Sequence, residues 1–107
     1  MRINFNRTTS ELLFWNKPQP NVPGWLLLLR KQFLADYDIF MGGTNVYEFE
    51  NSEQYAQLFC EWMCSIGYNV KFLSINFKVD DRKPTFAYGI EIDEACPKFI
   101  ELKLKSI

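Results

Sequence analysis

The chain has 107 residues, 48% of them hydrophobic and 23% charged, and a formal net charge of −1. This composition is typical of one globular domain and argues against a disordered chain. Three cysteines and no histidine argue against a disulfide framework and remove the commonest general base and metal ligand. We therefore expect reduced thiols, no cofactor, no metal site and no catalytic residue. With no secretory signal and no apolar run of membrane-spanning length, a cytoplasmic location without a membrane partner is expected.

A single domain over residues 1–107 is predicted, in three parts. The N-terminal arm, 1–17, begins with a short strand at residues 3–5 and continues into a helical turn. Thr9 or Ser10 would cap that turn, with Glu11 in its first turn. The connection over 18–24 contains three prolines, which forbid a helix. The main α+β body spans 25–107.

The start of this body is ambiguous between strand and helix. Over residues 25–34 the leucines favour a helix, but the apolar run is short and follows Pro-Gly, so a strand is the prediction adopted. Residues 37–41 and 46–50 flank a connection that contains Gly42-Gly43. Two β-rich runs on either side of such a connection predict a hairpin.

The clearest element is a helix over residues 52–66, predicted to be the longest in the chain. Asn51 or Ser52 would cap it, and Gly67 suits the left-handed position after its last turn. Its apolar residues recur at helical spacing and would face a sheet: Tyr55, Leu58, Phe59, Trp62, Met63 and Ile66.

Three strands are predicted to follow, over residues 70–79, 85–92 and 98–105. In the first, Leu73 and Ile75 would face the core and Phe72 would face solvent, because apolar and polar residues alternate along it. The fold expected is α+β, with one main amphipathic helix packed on an antiparallel sheet of about five to six strands in the order ββ(β)-α-βββ.

The sequence contains two kinds of candidate chemical site. Cys60 and Cys64 lie four residues apart on the predicted helix, away from its core face. A structural zinc site needs four ligands, and packing of two small residues on a neighbour is favoured over a metal or thiol site. Three carboxylate pairs at i, i+2 share strand faces, and solvated faces are favoured over catalysis or Mg²⁺ binding. The pairs are Asp36/Asp38, Glu48/Glu50 and Glu91/Asp93.

Charge distribution carries the prediction of a partner. Residues 32–70 contain six acidic residues and no Lys or Arg. An acidic face over the predicted hairpin and helix would steer toward a basic protein surface. The candidate partner-binding residues are Asp38, Tyr47, Glu48, Glu50, Glu53 and Glu61.

The first functional hypothesis is accordingly a small non-catalytic interaction protein. It would cover a partner's surface, as phage anti-defence inhibitors and immunity proteins do. The first alternative is a nucleic-acid-binding sheet that stacks bases on Phe72 and Tyr88 beside Lys71, Lys78 and Lys83; the net charge disfavours it. The second is an accessory or structural subunit of a larger assembly, with a homo-oligomer left open.

Overall fold

The computed structural model describes residues 1–15, 17, 19–41, 52–77 and 85–106. The described elements are, in chain order, β1 (Arg2–Asn4), α1 (Arg7–Trp15), α2 (Gly24–Met41), α3 (Ser52–Ser65), β2 (Val70–Phe77), β3 (Thr85–Ile92) and α4 (Pro97–Lys105). The strands form one antiparallel sheet in the order β1-β3-β2. No described helix is long and apolar enough to cross a membrane.

The α+β class is confirmed, but the predicted sheet of five to six strands with one main helix is wrong. The described residues form three strands and four helices. Two of the predicted strands are helices instead, and the predicted hairpin is not formed: the backbone of residues 37–41 is the end of α2, and residues 42–50 lie outside the described part.

The N-terminal strand and helix lie where they were expected, with a different cap. Asn6 precedes α1, its side-chain Oδ1 accepts a hydrogen bond from the backbone N–H of Thr9 at 2.8 Å, and its carbonyl accepts one from Ser10. An asparagine that satisfies the third free N–H of a helix is a typical N-cap. Because the helix starts before Thr9, Glu11 lies beyond the first turn.

The segment after the prolines is a helix of 18 residues, longer than the 14 residues of α3. The backbone carbonyl of Pro23 accepts the first hydrogen bonds, from Leu26 and Leu27. Leu26, Leu29 and Phe33 are buried at spacings of three and four residues, which defines one helix face. The strand prediction for residues 25–34 is wrong, and the helical propensity of the leucines is the signal that indicated the correct element. The prediction that residues 52–66 form the longest helix is also wrong.

The C-terminal segment, predicted as a strand, is α4. Pro97 occupies its first turn after the extended Cys96, a position where the missing proline N–H costs nothing. Phe99 and Leu102, three residues apart, are buried, whereas Ile100 is 47% exposed. The alternation of apolar residues at 100, 102 and 104 therefore does not mark a sheet face.

Helix α3 follows the prediction closely at its C-terminus. Gly67 has φ +106°, a conformation that residues with a Cβ rarely adopt. The N–H of Tyr68 donates to Met63 and that of Gly67 to Cys64, the two bonds of a Schellman motif. The predicted cap residues of α3 lie outside the described side chains.

The core joins the helices to one face of the sheet. As predicted, Leu58, Phe59 and Trp62 of α3 are buried, while Ile66 is only partly so. Trp62 contacts Phe33 of α2 edge-on, with 5.1 Å between ring centroids. Ile90 and Ile92 of β3 complete the contact with the sheet. This single cluster fixes which face of the sheet is covered.

Candidate functional site

The two faces of the sheet differ in what they contact. The strand register pairs Phe72 with Ile90, and Ile90 with Ile3, so these side chains share a face. That face holds the buried residues and packs on the helices. The opposite surface, which we call the open face, consists of Arg2, Asn4, Lys71, Leu73, Ile75, Ala87, Gly89 and Glu91.

The open face has an apolar centre. Leu73, Ile75 and Ala87 are half-buried, and within the described residues none of them belongs to the core cluster or packs against it. Gly89 lies between Leu73 and Asn4 in the register. Because it has no side chain, no atoms project from the open face at this position. Antiparallel sheets with one covered face normally turn polar residues outward, so this apolar centre is unusual.

The sequence prediction for β2 assigned its faces the wrong way round. Phe72, expected in solvent, packs against the core, and its ring stacks on Tyr88 with 6.2 Å between centroids. Leu73 and Ile75, expected in the core, lie on the open face. Both faces of β2 carry apolar residues, and the pairing with Ile90 decides which face is covered.

One end of the open face is charged. Arg2, Glu91 and Lys71 form a row across the three strands, and the Arg2 Nε lies 3.8 Å from a Glu91 oxygen. Both side chains of that ion pair are about half exposed, so the pair contributes little stability. The row gives the apolar centre a rim of mixed charge.

A cleft of about 390 Å³ adjoins this rim and contains the predicted carboxylate pair. Both carboxylates have structural partners. Glu91 contacts the Met1 ammonium at 3.2 Å, and Asp93 accepts hydrogen bonds from the Asn69 amide and the Ala95 N–H. The Asp93 contacts stabilise the turn between β3 and α4. Both carboxylates of this cleft are therefore engaged in contacts that stabilise the fold.

A second cleft, of about 230 Å³, lies between α2 and α4. Lys98 lies at its edge, donates a hydrogen bond to the carbonyl of Ile66, and lies 5.3 Å from the centre of the Tyr68 ring. Burial raises the pKa of the Tyr68 hydroxyl. The Lys98 ammonium neutralises the C-terminal end of α3, which is a structural role.

The paired cysteines of α3 contact the first residue of β2. The Sγ atoms of Cys60 and Cys64 lie 3.8 and 3.5 Å from the Val70 carbonyl oxygen. Burial, with a smaller contribution from the neighbouring Cys64, raises the pKa of Cys60 to about 11. A thiol that stays protonated is a poor nucleophile. No three His, Cys, Asp or Glu side chains in the described part could hold a metal ion.

The predicted partner-binding residues are only partly described. Glu53 is half-buried and Glu61 exposed on α3, with exposed Gln57 between them at helical spacing. We call these three the α3 stripe. Asp38 belongs to α2, but its side chain, like Tyr47, Glu48 and Glu50, lies outside the described residues. Asp36 and Asp38 belong to a helix, so the shared strand face predicted for this carboxylate pair is wrong.

The residues proposed for base stacking are not arranged for it. Phe72 and Tyr88 lie on the covered face, while Lys71 lies on the open face. Lys78 and Lys83 are outside the described part. A stacking platform needs exposed rings beside cations, and these rings and Lys71 point to opposite sides of the sheet.

Comparisons with protein-family models, with curated proteins and with solved structures found no match for this chain.

Proposed function

We propose that the chain is a non-catalytic protein-binding domain that covers part of a partner's surface, as inhibitors and immunity proteins do. The observation that carries this proposal is the open face, whose apolar centre has no covering element among the described residues. Apolar residues grouped on an outer face, with a charged rim, are typical of protein interfaces.

The chemistry of the described clefts supports binding over catalysis. The Glu91 and Asp93 carboxylates and the Lys98 ammonium all have structural partners, and the Cys60 thiol is kept protonated. Catalytic groups are instead expected to face a substrate with a pKa suited to their task.

The open face also predicts the character of the partner. Its centre is aliphatic, and its rim carries both Arg2 and Glu91, so a partner with an apolar patch and a mixed-charge border fits it. Complete burial of a Leu or Ile contributes about 1.5–3 kcal/mol. Leu73 and Ile75 are already partly buried, and at most about a third of that gain per side chain is still available.

The α3 stripe stays the second candidate surface. Glu53 and Glu61 are acidic and accessible to different degrees, and they would steer a basic partner toward α3. An acidic surface of this kind changes the association rate and its salt dependence more than the final affinity.

Site-directed photo-crosslinking distinguishes the two surfaces. A benzophenone amino acid replaces Ile75 in one variant and Gln57 in another, and each is irradiated in the cell that makes the protein. Attachment of one defined protein other than a second copy of this chain at position 75, absent at 57, is expected. Attachment at 57 alone would overturn the open-face proposal in favour of the α3 stripe.

A further inference from the structure

The outer edge of β2 carries backbone groups that point away from the sheet. The backbone N–H of Asp93 donates to the carbonyl of Asn69, the residue before β2. Hydrogen-bonded pairs recur at every second residue of an antiparallel ladder, so the odd-numbered residues of β2 are the ones that hydrogen-bond to β3. The N–H and C=O of the even-numbered residues therefore point outward. Of these, the groups of Phe72 and Ser74 have no hydrogen-bond partner among the described residues.

One end of this edge is already closed. The outward carbonyl of Val70 accepts hydrogen bonds from the thiols of Cys60 and Cys64. The stretch available for pairing accordingly begins at Phe72 and runs to position 76 at the end of the strand. Its centre is Ser74, whose side chain is exposed.

The sequence of β2 lacks the residues that normally prevent edge strands from pairing. Proline, inward charges and lysines at the centre of an edge strand keep sheets apart. Between Phe72 and position 77 there is no proline and no charged residue, and Lys71 at the closed end carries the only charge in β2.

We propose that two copies of this chain pair through the outer edges of β2, antiparallel and centred on Ser74, so that their sheets become continuous. Ser74 then exchanges both backbone hydrogen bonds with Ser74 of the second copy, and Phe72 pairs with position 76. This register uses the outward groups of residues 72, 74 and 76, for which the described residues provide no partner, and leaves the Val70 carbonyl to the thiols. A register centred on Leu73 would instead require the occupied Val70 carbonyl.

The side chains suit the same register. The two Lys71 ammoniums lie at opposite ends of the paired strands, so no like charges face each other. On the open face, Leu73 lies beside Ile75 of the second copy, and the two apolar centres join into one. On the other face the two Ser74 hydroxyls are directly opposite, within reach of a cross-strand hydrogen bond. The isologous contact closes and does not propagate into a filament.

This dimer goes beyond the proposed function and does not require it, because the open face stays available. The test uses Ser74→Lys and Ser74→Glu, with Gln57→Lys on the exposed side of α3 as the control. Each Ser74 variant places like charges opposite each other across the two-fold axis, and Ser74 itself lies outside the core. Circular dichroism verifies that each variant is folded.

Sedimentation equilibrium over a range of concentrations measures association of the 12.7 kDa chain. We expect the native chain and Gln57→Lys to dimerise, and each Ser74 variant to dimerise about tenfold more weakly or worse. An equimolar mixture of the Lys and Glu variants, one carrying a mass tag, should form the heterodimer. A monomeric native chain, or dimers that ignore both charges at position 74, would overturn the proposal. The proposed function keeps a separate readout, a crosslink from position 75 to a protein other than this chain, because in the dimer position 75 lies beside Leu73 of the second copy and would crosslink to it.

Discussion

Substitution of Trp62 tests the packing that orients the sheet. Its side chain is 1% exposed and contacts Phe33 and Phe59, with centroid distances of 5.1 and 5.3 Å. Its indole Nε1 is buried and has no hydrogen-bond partner among the described residues. Two substitutions separate these features, because alanine removes the ring and phenylalanine removes chiefly the N–H.

Trp62→Ala should lower the free energy of unfolding by about 3–5 kcal/mol, the usual cost of removing a buried aromatic side chain. Trp62→Phe loses part of the ring volume, but it also removes an unpaired buried donor, whose desolvation costs roughly 1–3 kcal/mol. The two effects oppose each other, so Trp62→Phe should stay within about 1 kcal/mol of the native chain.

Urea unfolding followed by circular dichroism at 222 nm measures both values, and a native-like slope would show that the folded state is unchanged. An equal decrease in the free energy of unfolding for the two variants would refute the claim that the unpaired Trp62 N–H destabilises the native chain. A Trp62→Ala variant as stable as the native chain would refute the packing of α2 on α3.

Three further predictions follow from the described contacts. Gly89→Ala should destabilise by about 1–3 kcal/mol or more in urea unfolding, since an added Cβ would lie 2.4 Å from the Ile3 carbonyl oxygen; unchanged stability would disprove the β1–β3 approach. Mass spectrometry of iodoacetamide-treated protein should show Cys96 labelled first, because backbone hydrogen bonding by Asn69 lowers the pKa of its thiol, and Cys60 last. The unfolded Cys60 thiol ionises near pH 9 while the folded one stays protonated to about 11, so the free energy of unfolding should fall as pH rises through that window. Cys60→Ala should make the free energy of unfolding less dependent on pH in this window. An unchanged pH dependence would contradict the assignment of the effect to Cys60.

Helix α3 shows what the sequence could predict. Five of the six apolar residues predicted to share its core face are buried, and Gly67 ends the helix in a left-handed conformation, so the periodicity and the terminating residue agree. The sequence of α4 also contains a helix signal, which the strand prediction did not use. Pro97 marks a helix start, but a chance alternation at 100, 102 and 104 indicated a strand instead.

Strand β2 shows why the site could not be predicted. Phe72, Leu73 and Ile75 make both of its faces apolar, so alternation alone cannot identify the covered one. Pairing with β3 places Phe72 on the side of the core, and this is information about tertiary contacts. The open face was consequently assigned to the core, and the acidic residues drew the functional prediction toward α3.

Affinity for the crosslinked partner tests the central claim most directly. Leu73→Thr/Ile75→Thr makes the apolar centre polar and places β-branched residues, which favour a strand, at both positions, while Glu53→Lys/Glu61→Lys reverses the charges of the α3 stripe. At physiological salt the first pair should weaken binding by roughly tenfold or more, as loss of an interface centre does. The second should change binding less, and chiefly at low salt. Binding that survives the threonine pair but is lost with the lysine pair would contradict the open face as the interface.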